Sequence, residues 1–323
     1  MCLEKKDTNH IKNILLAVIL TAMVSINWRS TDISNDFSAI KVSKNVYSIV
    51  SPNIGLPTPE NKGWNSNVHF VVTEKGVLLF DTGSSQLIGE NIKKAIQSVT
   101  ELPVRWIVNS HSHADHWLGN AAFINSAEEI IATELALANM KKYGKDDLEF
   151  YSKITEGTIG PTKLFYPNSI LTHSLKRNFG GVDITFIFSK NAHSPGDILM
   201  WLPQQKIIFG GDVLGSSRMP IITDHSDMEA WIENLNYIEE LNPTIVLTGH
   251  GHATTKVSVM RDSEFFLSLL KQIKTGCENR TSLDEIQFSI RSQMRPAYQG
   301  LYENFNADID QYVEQLYRLQ NKQ

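Results

Sequence analysis

The stretch Arg105-Trp106-Ile107-Val108-Asn109-Ser110-His111-Ser112-His113-Ala114-Asp115-His116 decides how this chain is read. Its first four residues form a short apolar run that predicts a strand. The strand then delivers three histidines and an aspartate within six residues. In an extended-to-turn segment, residues two apart point the same way, so His111 and His113 share one side. Asp115 and His116 then project from the turn toward a second position. Imidazole and carboxylate together suit zinc and neighbouring transition metals. A histidine-rich surface loop is the plainer alternative, and the rest of the chain argues against it.

Three further signals follow in order, each just past a predicted strand. His193 lies in Ala192-His193-Ser194-Pro195-Gly196-Asp197, Asp212 in Gly210-Gly211-Asp212, and His250 in Gly249-His250-Gly251. A single histidine at a strand end is more often structural than chemical. The four motifs together are a far more specific signal.

Around them the pattern alternates strand and helix. Residues 30–45 form a polar lead-in, and Val46 to Val50 predicts a first strand. Residues 51–66 form a Pro/Gly-rich loop. Val68 to Val72 and Val77 to Phe80 read as paired strands about a Glu74-Lys75-Gly76 turn. Leu87, Ile88, Ile92, Ala95 and Ile96 recur at helical spacing. A short strand at Ile130-Ile131-Ala132 is followed by a helical stretch over 134–156. Asp183 to Phe188 is a strand, and 198–201 with 206–209 make a hairpin across Pro203-Gln204-Gln205. Ser226-Asp227-Met228-Glu229 reads as a capping box opening a helix that Asn242-Pro243 stops. Thr244 to Leu247 is the last strand, and the chain is amphipathic and helical from about 257 to its end. The expectation is two sheets covered by helices.

The motif series His-x-His-x-Asp-His, His-Ser-Pro-Gly, Gly-Asp and Gly-His-Gly resembles that of the metallo-β-lactamase superfamily, over about residues 40–255. The resemblance implies an α/β fold, a four-layer αβ/βα sandwich with metals at one edge between two sheets, here with a C-terminal helical extension. It implies that His111, His113 and His193 hold one metal, that Asp115, His116 and His250 hold a second, and that Asp212 bridges them. Phe80-Asp81-Thr82-Gly83 also fits the family, with Asp81 orienting the cluster rather than ligating. Two Zn2+ ions are the expected cofactors, and a His/Asp set of this kind also suits iron or manganese. Two divalent cations, two aspartates and a bridging hydroxide leave the core near +1, which makes hydroxide available near neutral pH. The expected reaction is hydroxide attack on a carbonyl, with Asp115 and Asp212 as the catalytic carboxylates.

Within the superfamily, aspartate at 212 is similar to glyoxalase II, lactonases and periplasmic quinoprotein relay-associated hydrolases. Cysteine or serine stands there in many true zinc β-lactamases. Asp197 to Pro203 and Trp117-Leu118-Gly119-Asn120 lean the other way. The lysine expected three residues past the bridging position is replaced by Gly215, leaving Arg218 as the candidate for binding a substrate carboxylate. The readings are therefore a dinuclear hydrolase of a small ester, lactone, thioester or lactam, a true β-lactamase, or a metal-bound binding protein without turnover. Further substrate-binding candidates are His225 and Trp64, the latter as a mobile lid carried by the 51–66 loop. His69 is read as a packing residue or as one that supports the ligands from behind.

The 323 residues suffice for a sizeable core, and a net charge of -5 disfavours nucleic acid as a partner. A small-molecule substrate is expected instead. Lys5, Lys6 and Lys12 precede the mostly apolar Ile14 to Ile26, a run too short to span a bilayer comfortably. It reads as a signal peptide over residues 1–28, with an uncleaved N-terminal anchor as the alternative, so the protein is expected to be exported to the periplasm or secreted. The metallo-β-lactamase domain is placed at 38–255 and the packing helices at 256–323. The two cysteines are Cys2 and Cys277. Removal of the signal would leave one thiol, and no internal disulfide.

Overall fold

A computed structural model describes residues 37–52 and 55–321. The proposed N-terminal signal lies outside the described residues, and none of their helices is long and apolar enough to cross a membrane.

Seven strands form the first sheet in sequence order: β1 (Ala39–Lys41), β2 (Val46–Ile49), β3 (Val68–Val72), β4 (Val77–Phe80), β5 (Val104–Val108), β6 (Glu129–Thr133) and β7 (Ser169–Leu171). β1 to β4 are antiparallel, and β4 to β7 are parallel. The second sheet holds β8 (Leu175–Phe179), β9 (Val182–Asn191), β10 (Pro195–Leu202), β11 (Ile207–Phe209) and β12 (Ile245–Leu247), in the order β12-β11-β10-β9-β8. Its pairs are antiparallel except β11 with β12.

The period of two along each strand sorts side chains into three apolar layers. Leu78, Phe80, Val108 and Ile131 of the first sheet meet Phe186, Ile198, Met200 and Phe209 of the second. Val77, Leu79, Ile107 and Ile130 point the other way, onto Ile88, Ile92 and Ile96 of helix α1 (Gln86–Gln97). On the far side, Leu199, Trp201, Ile208 and Val246 pack against helices α3 (Met228–Leu241) and α4 (Lys256–Glu278). Helices α5 (Leu283–Tyr298) and α6 (Phe305–Asn321) join that layer through Ile286, Ile290, Phe305 and Val313. The result is the four-layer αβ/βα sandwich with its helical extension. Both faces of each central strand are buried, which is why they read as continuous apolar runs.

Several local expectations change. The α3 cap is Asp227, whose side chain accepts from Ala230 N, so the third helical position carries alanine and no capping box forms. Ser226 instead donates to the His193 carbonyl at 2.7 Å. Among the described residues a capping box forms between Ser282 and Glu285, at the start of α5. β1, β7 and β8 were not apparent in the sequence. β8 is Leu-Lys-Arg-Asn-Phe, and its cationic middle is held by Arg177, which pairs with Glu129 of β6.

Candidate metal centre

Strand ends from both sheets converge on one point. β5 hands the chain to Asn109 and Ser110, then to His111, His113 and a helical turn, Ala114–Trp117, that carries Asp115 and His116. From the second sheet, His193 stands in the bend between β9 and β10, Asp212 follows β11 and His250 follows β12. The seven expected residues are therefore brought together, in two clusters whose ligand-type atoms each lie within 4.8 Å of one another. In the first, His113 Nδ1 is 3.0 Å from His111 Nε2 and 2.9 Å from His193 Nε2. In the second, His250 Nε2 is 3.4 Å from Asp115 Oδ2, and His116 Nε2 is 3.6 Å from it. Asp212 lies between: Oδ2 is 3.5 Å from His193 and 3.3 Å from His250, and Oδ1 is 3.3 Å from His116.

The tautomers follow from the groups behind the rings. His116 Nδ1 donates to Asp81 Oδ2 at 2.9 Å, because a carboxylate only accepts. His193 Nδ1 donates to the Ile221 carbonyl and His250 Nδ1 to the Asn65 carbonyl. Ser110 Oγ donates to Asp81 Oδ2, so it accepts from His111 Nδ1. Each of these rings consequently turns a bare Nε2 inward. His116 Nε2 and Asp212 Oδ1 are buried without a hydrogen-bond partner. Lone pairs crowd a buried space that offers few protons, and cations are what satisfy such a donor set. The residues present fit a metal pair.

The electrostatics divide the rings: His111, His113 and His193 are pushed toward the neutral form, and the aspartates draw positive charge onto His116 and His250. Burial holds His111 well below its ordinary pKa and His113 down at about 3, with neighbouring histidines adding to both. Burial opposes charge on His116, yet Asp115, Asp212 and Asp81 raise it well above the usual value. Asp212 is buried too, and His250 and His116 hold it well below the carboxylate range. Asp81 anchors the arrangement. It adopts a left-handed backbone at φ 65°, and its carboxylate accepts from Ser110 N at 2.7 Å as well as from Ser110 Oγ and His116. Gly249 permits the close approach, since a Cβ there would lie 2.0 Å from Asp212 Oδ1.

The centre opens into a cavity of about 710 Å³, within the usual range for a small-molecule site. Arg218 lines it, as expected, and pairs with Asp308 of α6 at 3.6 Å. His225 does not line it; it is exposed in the turn before α3, where Ser226 rather than His225 faces His193. Trp64 is no lid. It is 2% exposed, stacks on Phe37 at 3.8 Å and donates to the Ser66 carbonyl, so the indole is core. His69 is buried as a packing residue, bridging Ser48 and the Thr248 carbonyl.

Several wall residues escaped the sequence reading. Asn65 Nδ2 donates to Asp115 Oδ2 at 3.0 Å. Tyr151, on helix α2 (Glu134–Ile154), lines the same cavity beside Asn65 and Asp115, and burial together with the Asp115 charge raises its hydroxyl pKa well above the usual tyrosine range. Asp147 lies one turn earlier on the same wall, its carboxyl pushed up to about 6 by burial and by Asp146 and Asp115. The available signal for Asn65 was the polar triplet Asn65-Ser66-Asn67 wedged between Trp64 and β3. For Tyr151 and α6 no local motif existed.

Residues 61–250 match the sequence model described as the metallo-beta-lactamase superfamily. The chain belongs to the metallo-β-lactamase superfamily. It is a metallo-hydrolase of that group. It is 24% identical over 248 residues to a metallo-beta-lactamase type 2 of Bacteroides fragilis, covering 74% of this chain and 88% of that one. It is 21% identical over 211 residues to an alkyl/aryl-sulfatase of Saccharomyces cerevisiae, covering 56% of this chain and 31% of the relative. Among solved structures, a metallo-beta-lactamase from Pontibacter korlensis superposes with a TM-score of 0.57 at 19% identity, covering 71% of this chain and 98% of that chain. A stereoselective inverting sec-alkylsulfatase from Pseudomonas sp. gives a TM-score of 0.65 at 14% identity, covering 87% of this chain and 50% of that one. The metallo-β-lactamase fold is thus common to relatives of different named activities, and substrate has to be read from the cavity.

Proposed function

We propose that this protein is a dinuclear hydrolase of a small, uncharged carbonyl compound, an ester or lactone ahead of a thioester or lactam. The observation that carries the choice is the cavity's charge. Arg218 is the one lysine or arginine among the described lining residues, and Asp308 partners it. Asp147 adds a carboxyl to the same wall. A β-lactam carboxylate or a sulfate would need a cation free to meet it, so the β-lactamase reading is second. A binding protein without turnover is disfavoured because the ligand set is whole.

In this reading His111, His113 and His193 hold one ion, Asp115, His116 and His250 the other, and Asp212 both. Zinc is the first candidate, with iron or manganese compatible with the donors. When bound, such a pair supplies Lewis acidity and a water acidic enough to deprotonate near neutral pH. The chain does the rest. Asp81, Ser110 and the Ile221 and Asn65 carbonyls fix the ring orientations. Asn65 holds the Asp115 carboxylate by a hydrogen bond, with Tyr151 on the same wall, and that carboxylate would orient the water. The lysine-flanked apolar run at residues 14–26 supports export by a signal segment.

The test is metal analysis with a substrate panel of lactones, aryl esters, nitrocefin and an aryl sulfate. About two ions per chain with turnover of neutral esters or lactones, lost in His116→Ala, is expected. Protein without transition metal and activity unchanged in His116→Ala would sink the dinuclear reading. Efficient nitrocefin or sulfate turnover with inert esters would replace the substrate assignment.

A further inference from the structure

The mouth of the cavity is unusual for a soluble surface. Leu56 is 72% exposed, Ile221 53% and Phe150 49%, and all three line the cavity. They come from separate parts of the chain: the loop before β3, the segment after β11 and helix α2. Single exposed apolar residues need no explanation. Three converging on the rim of one pocket mark a binding surface. Leu214, Met219, Pro220 and Ile222, themselves buried, line the same cavity as His113 and His193. The segment carrying Ile221 also holds the centre, through the Ile221 carbonyl on His193 Nδ1 at 2.9 Å.

We propose that Leu56, Phe150 and Ile221 form a collar for the hydrocarbon chain of a medium-chain acyl ester or an alkyl-substituted lactone, whose carbonyl lies at the seven-residue centre. This rests on the hydrolase reading above and narrows its substrate class to amphiphiles with an uncharged head. The occupant follows from placement: the three exposed side chains share one cavity with the centre, so a chain attached to the reacting carbonyl can meet them at the mouth. The volume, about 710 Å³, holds the head and part of the chain, and the collar covers the next methylenes. Burying one methylene contributes enough to change affinity roughly three- to fourfold.

The experiment uses the full-length, metal-loaded protein and p-nitrophenyl esters from two to ten carbons. For the unaltered protein kcat/KM is expected to climb about threefold per methylene until the chain passes the rim. In the double variant Leu56→Ser, Phe150→Ser the ratio of octanoyl to acetyl ester turnover should fall tenfold or more, whatever happens to the acetyl ester alone. A flat chain-length profile in the unaltered protein, or the same ratio in the variant, overturns the proposal. If no ester is hydrolysed, the hydrolase reading fails separately. The collar is then judged by calorimetric Kd values for octanamide and acetamide, and equal values overturn it. A variant that loses vesicle binding or self-association while keeping its chain-length ratio also overturns it, since the collar would then be a docking face.

Discussion

Gly249→Ala is the most specific probe of the centre, because it adds one methyl group beside the bridging carboxylate and removes no ligand. The new Cβ would lie 2.0 Å from Asp212 Oδ1, 2.9 Å from the Gly211 carbonyl carbon and 3.0 Å from His116 Cε1. Real carbon contacts of this kind do not fall below about 3 Å, so Asp212 has to retreat by about 1 Å, because the Gly211 backbone blocks escape on the other side. Metal–ligand distances tolerate about 0.2 Å. The required shift is therefore several times what such a centre can absorb, and it falls on the residue that lies between the two clusters. Overpacking of this sort costs about 1–3 kcal/mol in stability, which a domain of this size survives. The expected result is a folded protein with a near-unchanged circular dichroism spectrum. Its metal content should fall below one ion per chain, and its kcat/KM on esters should fall at least about a hundredfold. Metal analysis after exhaustive dialysis, beside a thermal melt, reads both. Full metal content with ordinary activity would show that Asp212 does not sit between the clusters, and the bridging assignment would fall with it.

Asp81→Ala strands three donors in a buried pocket and places alanine at φ 65°; about 3–5 kcal/mol of stability should be lost in denaturant titrations, with metal affinity reduced ten- to a hundredfold. His69 stays neutral because burial, ahead of His116, lowers its pKa to about 4. The unfolded chain takes up that proton first, so stability present above pH 6.5 declines toward pH 4 by about 3 kcal/mol, and His69→Gln should flatten that part of the pH profile. Tyr151→Phe deletes the hydroxyl beside Asn65 and Asp115; about a tenfold drop in kcat with metal content intact is expected, and an unaltered kcat would confine Tyr151 to packing. Chelation should lower the melting temperature by about 10 °C, reversibly on adding metal, since ions at about a thousand times their Kd contribute about 4 kcal/mol.

Much of the centre is legible in the sequence because its ligands sit at strand ends, where short motifs carry geometry. His111 to His116 share one local turn, and His193, Asp212 and His250 each follow a strand whose apolar run is unmistakable. The sandwich follows from the same runs. What was hidden is tertiary. Trp64 looked like a lid because its loop is rich in proline and glycine, yet the indole stacks on Phe37, far back in the chain. His225 looked like a pocket residue by proximity to α3, but it is exposed to solvent, and its neighbour Ser226 bonds the His193 carbonyl outside the cavity lining. The Tyr151 contact spans from α2 to Asn65, and the α6 wall, with Asp308, comes from a helix whose pattern announces only packing. β8 escaped because Lys176 and Arg177 interrupt its apolar pattern, and the partner that tolerates them, Glu129, lies 48 residues away.

Delivery of ligands from both sheets gives the centre a second consequence. His250 reaches the Asn65 carbonyl across 185 residues of chain, and His193 reaches His113 across 80. Ions held there would cross-link the two halves of the sandwich, closing loops far longer than the hairpins of the described residues. Metal supply then sets how long the folded chain survives as well as how fast it turns over. A cell short of the ion would lose the activity at once, and the protein itself to its proteases afterwards.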